Sequence, residues 1–95
     1  MPFKVRFREP LLADVKTQTA RTTRVGAPED FFFAFGTKFV ITEVVEETAG
    51  SVCRLQWREE GVASPEEFQA VWREIAGQYQ PYQKVLVHRF RRVAS

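Results

Sequence analysis

The hexapeptide KTQTAR at positions 16–21 brings together side chains that could do chemistry. Lys16, Thr17, Thr19 and Arg21 stand within six residues, and the segment contains no acidic residue. A lysine whose pKa is lowered by burial can take the proton of a threonine hydroxyl and so make it a nucleophile. The same groups can instead bind a phosphate or the edge of a base. The segment therefore predicts a catalytic or ligand-binding site, although its alternation also fits a strand with an exposed polar face.

Two adjacent glutamates are a second unusual feature of the chain. The segment SVCRLQWREEG predicts a short helix that ends at Gly61, which would place Glu59 and Glu60 at the negative end of the helix dipole. Each carboxylate would lose roughly 0.3–1 kcal/mol there instead of gaining it. A locally unfavourable residue can mark a functional position. A pairing of Glu60 with Lys16 across a cleft would account for both features.

The basic residues are concentrated at the two ends of the chain. Residues 1–25 hold six Lys and Arg against two acidic residues, residues 26–83 hold four against ten, and residues 84–95 hold four against none. If the ends meet in space, they form one positive patch suited to phosphate, whereas the alternative is a solvated basic face. The candidate phosphate or nucleic-acid contacts are Lys4, Arg6, Arg8, Arg89, Arg91 and Arg92, with Arg24 as a further candidate ligand contact.

Residue types that occur once limit the possible chemistry. Cys53 is the only cysteine and His88 the only histidine, which excludes a disulfide within the chain, a thiolate or histidine zinc site, and a Ser-His-Asp triad. We therefore expect neither a metal nor a cofactor. His88 fits a hydrogen-bonded structural role or a ligand contact. Trp57 fits core packing or, if it lies near a cleft, stacking on a base.

The length and hydropathy of the chain limit the class of protein to which it can belong. The 95 residues suffice for one domain, residues 1–95. The N-terminus lacks a long apolar run and no segment approaches a membrane span, so we expect a soluble, cytoplasmic protein with no membrane partner. The absence of asparagine and the excess of arginine over lysine fit a thermophilic source. The sequence does not specify the oligomeric state.

Hydrophobic patterning predicts the elements that must position the candidate residues. The alternation in PFKVRFR predicts a first strand with a basic outer face, PLLADV predicts a helical turn, and KTQTAR predicts an extended segment. FFFAF and KFVITEVV predict two strands joined by a type II′ turn at Gly36-Thr37. Because both of these runs are apolar on both faces, we expect them inside a covered sheet.

The clearest local signal is the segment SPEEFQAVWREIAG. Ser64 predicts an N-cap, Pro65 the first helical position, Glu67 a capping box and Gly77 the end of the helix. QKVLVHRFRRV predicts a final strand. The resulting order, strand, short helix, extended segment, two strands, two helices and strand, predicts an α+β fold with a small curled sheet or barrel.

Four segments of the chain resemble one protein family. ADVKTQTAR resembles the lysine-threonine-x-threonine-x-arginine signature that opens ASCH domains, which are members of the PUA-like superfamily. GTKFVITEVVE, WREEGVASPEEFQAVW and VLVHRF resemble the family's central strand, helical insert and final strand, in the same order. The resemblance implies a small PUA-like β-barrel of about five to six mostly antiparallel strands with two to three helices and a cleft. Glu29-Asp30 departs from the usual Gly-Asp at a turn outside the site.

The same resemblance implies two functions for the cleft. The family is proposed to bind RNA, which makes Thr17 and Arg21 candidate contacts to RNA or to a nucleoside or nucleotide. Some single-domain bacterial members are amidohydrolases that remove the acyl group from N4-acetylcytidine-like substrates with a lysine, a threonine and a glutamate. These fall on Lys16, Thr19 and Glu60, although the spacing leaves Glu59 open as the glutamate. We expect a binding cleft, with the amidohydrolase as the alternative.

Overall fold

An antiparallel sheet of four strands packs with three α-helices in the computed structural model, which describes residues 1–93. The strands are β1 (Gln18–Arg21), β2 (Phe31–Ala34), β3 (Thr37–Thr48) and β4 (Lys84–Arg92), and the helices are α1 (Arg8–Leu12), α2 (Ala49–Leu55) and α3 (Pro65–Ala76). The strand order is β1-β4-β3-β2. The predicted α+β class and curled sheet are confirmed, with four strands in the described residues instead of five or six. Residues 94–95 of the predicted domain lie outside this description.

The N-terminal segment does not form the strand that its alternation predicts. The chain makes a 3-10 turn at Val5–Phe7 and continues into α1. Phe7 and Leu11 are buried and Phe3 packs against the core, whereas Val5 is 79% exposed. Phe7 and Leu11 are four residues apart, which is the helical spacing, and their burial outweighs the alternation. The predicted strand at residues 2–8 was therefore wrong, and the helical turn predicted at residues 10–15 overlaps α1 at residues 10–12.

Strands β2 and β3 form the predicted hairpin, but with a different turn. The register leaves Phe35 and Gly36 as the loop, with φ angles of 51° and 77°. Positive φ at both central residues defines a type I′ turn, so the predicted type II′ turn one residue later was wrong. Strand β2 is an edge strand in which Phe31 and Phe33 are exposed. The prediction that both strands lie inside the sheet was therefore wrong for β2, whereas β3 does lie between two other strands.

Helix α3 begins and ends as predicted, whereas α2 is shorter. The Ser64 Oγ accepts a hydrogen bond from the Glu67 N–H at 3.1 Å, and Gly77 adopts the left-handed conformation at the other end. Helix α2 ends at Leu55, and residues 56–61 form a turn, so the helix predicted to reach Gly61 was wrong. None of the helices in residues 1–93 has the length and apolar character needed to cross a bilayer.

Aromatic packing brings the two ends of the chain together. Phe32 and Phe39 stack with ring centroids 5.2 Å apart, and Phe90 of β4 meets Phe32 edge-on at 5.3 Å. Phe3 lies 5.9 Å from Phe32 and 6.2 Å from Phe90. The N-terminal segment is thus held against the final strand, and the two basic ends are neighbours in space.

Candidate functional site

A cleft of about 310 Å³ lies between the N-terminal segment, β1, the turn at residues 56–61 and α3. Most of its lining is apolar and comprises Pro2, Phe3, Phe7, Ala20, Val62, Phe68, Val71, Trp72 and Ile75. The polar lining residues are Lys4, Lys16, Thr19, Arg21 and Glu60. An apolar cavity with a few convergent polar groups is typical of a small-molecule site. The fold therefore brings the predicted lysine, threonine, arginine and one glutamate into the same cavity.

The turn at residues 56–61 binds the free edge of β1. The N–H groups of Thr17 and Gln18 donate to the main-chain oxygen of Glu59 at 2.9 and 3.2 Å, and the Ala20 N–H donates to Oε1 of Glu60 at 3.1 Å. These bonds satisfy donors that an edge strand would otherwise leave open, which explains why α2 ends early. They also place the Glu60 carboxylate in the cleft, while Glu59 is exposed.

Lys16 is almost fully buried at the base of the cleft. Its Nζ donates to the main-chain oxygens of Glu60 at 2.6 Å and Gln18 at 3.0 Å, and it lies 4.4 Å from the centroid of the Phe7 ring. Burial lowers the pKa of Lys16 to about 8, while the Glu60 carboxylate opposes this shift and Arg21 adds to it. A lysine with such a pKa can exchange its proton near neutral pH.

The Glu60 carboxylate is held by neutral donors. The Gln18 Nε2 donates to its Oε2 at 2.8 Å, which complements the bond from the Ala20 N–H to Oε1. Burial raises the pKa of Glu60, and the nearby Lys16 charge is the largest of the influences that oppose this shift. The predicted pairing of Lys16 with Glu60 is thus a contact between the lysine and the main chain of the glutamate, with the carboxylate facing other donors.

Thr19 and Arg21 form the other polar wall of the cleft. The Thr19 Oγ1 accepts a hydrogen bond from Nε of Arg21 at 3.2 Å. The guanidinium of Arg21 also donates to the main-chain oxygen of Pro2 at 2.9 Å and lies 5.3 Å from the Phe3 ring. Burial lowers the pKa of Arg21, which nevertheless stays cationic. Because Oγ1 uses a lone pair in its bond with Arg21, its hydroxyl hydrogen remains available to a base or a ligand.

His88 is a structural residue that lies outside the cleft. It is fully buried in β4, where Nε2 accepts a hydrogen bond from the Val25 N–H at 3.1 Å and Nδ1 lies 3.1 Å from the main-chain oxygen of Leu86. A neutral imidazole with its proton on Nδ1 satisfies both contacts. Burial lowers the pKa of His88, which agrees with the neutral form.

Three other predicted ligand contacts do not line the cleft. Thr17 precedes β1, and its main chain bonds to the turn at residues 56–61. The Arg24 Nε donates to the main-chain oxygen of Gly26 at 3.0 Å. Trp57 packs against the core beneath the guanidinium of Arg58. Within residues 1–93, no cluster of three His, Cys, Asp or Glu side chains is arranged to hold a metal ion.

Four of the six predicted phosphate contacts already have acidic partners. Lys4 and Arg6 pair with Glu74, Arg89 pairs with Glu43 and Glu47, and Arg92 pairs with Asp14. Of the six predicted phosphate contacts, only Arg8 and Arg91 have no ion pair with another residue in the range 1–93. An acidic neighbour cancels much of a cation's attraction for phosphate. The two basic ends therefore meet, but acidic neighbours offset part of their positive charge.

Sequence reasoning missed two residues that shape the site. Gln18 bonds to both Lys16 and Glu60, although its place in the hexapeptide gave no sign of this role. Gly61 has a φ of 89°, and a Cβ at this position would lie 2.8 Å from the Lys16 Cβ. The turn can therefore pass close to the lysine because residue 61 has no side chain. The glycine was visible in the sequence, but its position suggested the end of a helix.

Replacing Gly61 by alanine should destabilise the protein more than replacing Gly77 by alanine. Both glycines have positive φ, 89° and 85°, so an alanine costs about 1–2 kcal/mol of backbone strain at either position. A Cβ at residue 61 also collides with Lys16, whereas a Cβ at residue 77 meets nothing within 4 Å. Denaturant unfolding of both variants measures the difference. Equal losses would show that Gly61 does not fix the position of the lysine.

No family model and no curated protein sequence matches the chain. Among solved structures, the fold is similar to the crystal structure of hypothetical protein PH0355, with a TM-score of 0.72. The similarity covers 96% of this chain and 94% of that chain at 17% sequence identity. At this identity the similarity concerns the fold alone, so the two proteins share a small α+β architecture.

Proposed function

We propose that the cleft binds an N-acylated nucleoside and hydrolyses its amide, as an amidohydrolase for N4-acetylcytidine-like substrates. The observation that carries the proposal is the convergence of Lys16, Thr19 and Glu60, all buried, in one apolar cleft. The resemblance of ADVKTQTAR to the ASCH signature supports the same assignment. The similarity to the fold of PH0355 is compatible with it but says nothing of the reaction.

The dimensions of the cleft favour a nucleoside over a nucleic-acid strand. A volume of about 310 Å³ is at the lower end of the range for ligand pockets, which suits one base with its acyl group. Phe3, Phe7 and Trp72 offer apolar surface to a planar base, and the polar groups can orient it. Lys4, which lines the cleft, and the nearby Arg6 both pair with Glu74, which reduces the attraction that they provide for a longer polyanion.

Lys16 is held in a way that suits a general base. A neutral amine has two N–H donors and one lone pair, and the carbonyls of Gln18 and Glu60 provide acceptors for both donors. The lone pair is then free to take the hydroxyl proton of Thr19 as its oxygen attacks the acyl carbon. The guanidinium of Arg21 already donates a hydrogen bond to the Thr19 Oγ1. Its positive charge can therefore stabilise the oxyanion that develops on the acyl oxygen.

The remaining steps follow from the same groups. The protonated Lys16 gives its proton to the departing cytosine amine as the carbon–nitrogen bond breaks, and the acyl group remains as an ester on Thr19. Water then attacks the ester with neutral Lys16 as the base, which releases the carboxylic acid and restores the threonine. Glu60 acts through Lys16, because its carbonyl holds Nζ and its carboxylate opposes the loss of the lysine proton.

The pure protein should hydrolyse N4-acetylcytidine, and Thr19→Ala should abolish the reaction because it removes the nucleophile. Thr17→Ala is the matched control, since Thr17 lies outside the cleft. The value of kcat/KM should rise about tenfold per pH unit below an inflection near pH 8, because Lys16 must be neutral to accept a proton. Product formation is followed by chromatography across this pH range.

Several outcomes would count against this proposal. The absence of turnover by the wild-type protein at high enzyme concentration would reject the hydrolase. In that case, binding of cytidine or N4-acetylcytidine measured by calorimetry would leave a nucleoside-binding cleft without catalysis. Equal loss of turnover in Thr17→Ala and Thr19→Ala would reject Thr19 as the nucleophile.

Glu60→Gln should move the rising limb of the pH–rate profile to lower pH. The Glu60 carboxylate raises the pKa of Lys16, so removal of its negative charge lets that pKa fall further. Glu59→Gln is the matched control, because Glu59 is exposed and its contacts with β1 are made by the main chain. A shift to higher pH, or the same shift in both variants, would contradict the role assigned to Glu60.

A further inference from the structure

We infer that the surface formed by the exposed Phe31, Phe33, Lys38 and Arg91 around the buried Val40 binds single-stranded nucleic acid. We call this surface the outer aromatic face. It belongs to β2, β3 and β4, and none of its five residues lines the cleft. The inference therefore goes beyond the proposed hydrolase and does not depend on it.

The strand register places the five side chains on one face of the sheet. Phe31 pairs with Val40, which pairs in turn with Arg91, and Phe33 pairs with Lys38. Directly opposed residues of antiparallel strands project to the same side, as do residues two apart along a strand. The face thus carries a row of Phe31, Val40 and Arg91 beside a row of Phe33 and Lys38.

Both phenylalanine rings of this face are open to solvent. Phe31 is 58% exposed and Phe33 is 67% exposed, while Val40 between the strands is buried. The Nζ of Lys38 lies 4.2 Å from the centroid of the Phe31 ring. Contiguous exposed apolar groups can mark an interaction surface, whereas apolar residues that are exposed singly need no such explanation.

The charges of the outer aromatic face distinguish it from the rest of the basic surface. Lys38 and Arg91 make no ion pair with any other residue in the described part of the chain. Arg89, two residues before Arg91 in β4, is instead paired with Glu43 and Glu47. Two solvent-exposed aromatic rings beside two cations that have no acidic partner within residues 1–93 suit a flexible polyanion with planar groups, in which bases stack on the rings and phosphates meet the cations.

A second copy of the chain fits this surface less well. A symmetric contact would apply the same patch to itself, so the four cations of Lys38 and Arg91 would be brought together and repel one another. Strand β2 is also only four residues long, which limits the edge-to-edge hydrogen bonds available to a dimer. The combination of charge and aromatic surface therefore favours a nucleic acid.

The test measures binding of a fluorescein-labelled oligouridylate of about ten nucleotides by fluorescence anisotropy at low salt. The double variant Phe31→Leu/Phe33→Leu keeps apolar side chains but removes the stacking surfaces, and we expect the affinity to fall about tenfold or more. Tyr82→Leu is the matched control, because Tyr82 is an aromatic residue that is 89% exposed in the loop before β4. The unfolding midpoint of each variant verifies that it is folded.

The contribution of charge is tested separately with Arg91→Gln. This variant should weaken binding and reduce the slope of log K against log salt by about one. Lys84→Gln is its control, since Lys84 lies at the other end of β4 beside Glu46 and should leave the slope unchanged. Thr19→Ala should bind the oligomer like the wild type, which separates this surface from the catalytic cleft.

The inference is overturned by any of four results. The first is an unchanged affinity for the oligomer in the double phenylalanine variant, and the second is an equal loss of affinity in Tyr82→Leu. The third is that Thr19→Ala abolishes oligonucleotide binding. The fourth is that the wild-type protein is a dimer and the double variant is a monomer. Binding to phosphatidylserine vesicles without binding to the oligomer would likewise reject a nucleic-acid partner. Turnover of N4-acetylcytidine by the double variant reports on the cleft alone, so failure of one proposal is distinguishable from failure of the other.

Discussion

The hydrogen bonding between the edge of β1 and the turn at residues 56–61 is the constraint on which the site depends. An edge strand exposes main-chain donors and acceptors, and here the turn supplies the carbonyl of Glu59 and the carboxylate of Glu60 to the donors. The Nζ of Lys16 in turn donates a hydrogen bond to the main-chain oxygen of Gln18 in β1. The groups that close the sheet edge are therefore also the groups that hold Lys16 and Glu60 in the cleft.

This arrangement explains how a lysine and a glutamate can both be buried in a domain of this size. A buried charge is costly unless hydrogen bonds replace its hydration, and each of these side chains has two such bonds. No buried side-chain nitrogen or oxygen in the described part of the chain lacks a partner. Because the partners are neutral carbonyls and amides, burial remains the dominant influence on both pKa values, and mutual attraction only opposes it.

The features predictable from sequence are those that local residues determine. Ser64 and Gly77 set the ends of α3 through bonds and dihedral angles within a few residues, and the hexapeptide placed Lys16 and Thr19 in the same region. The end of α2 was not predictable in this way, because tertiary bonds to β1 override the local signal at Gly61. The pairing of basic residues with acids such as Glu74, distant in sequence, was likewise not readable from composition.

The strand wrongly predicted at the N-terminus shows why the difference between local and tertiary determinants matters for the site. In a strand, Phe3 and Phe7 would point to the same face of the sheet without covering Lys16. With a 3-10 turn and α1, both rings instead lie within 6 Å of the ammonium group, at 5.7 and 4.4 Å. These contacts remove Lys16 from water, and that removal is what lowers its pKa. The packing of Phe3 and Phe7 at the N-terminus thus contributes to the lowered pKa of a lysine that follows in the chain.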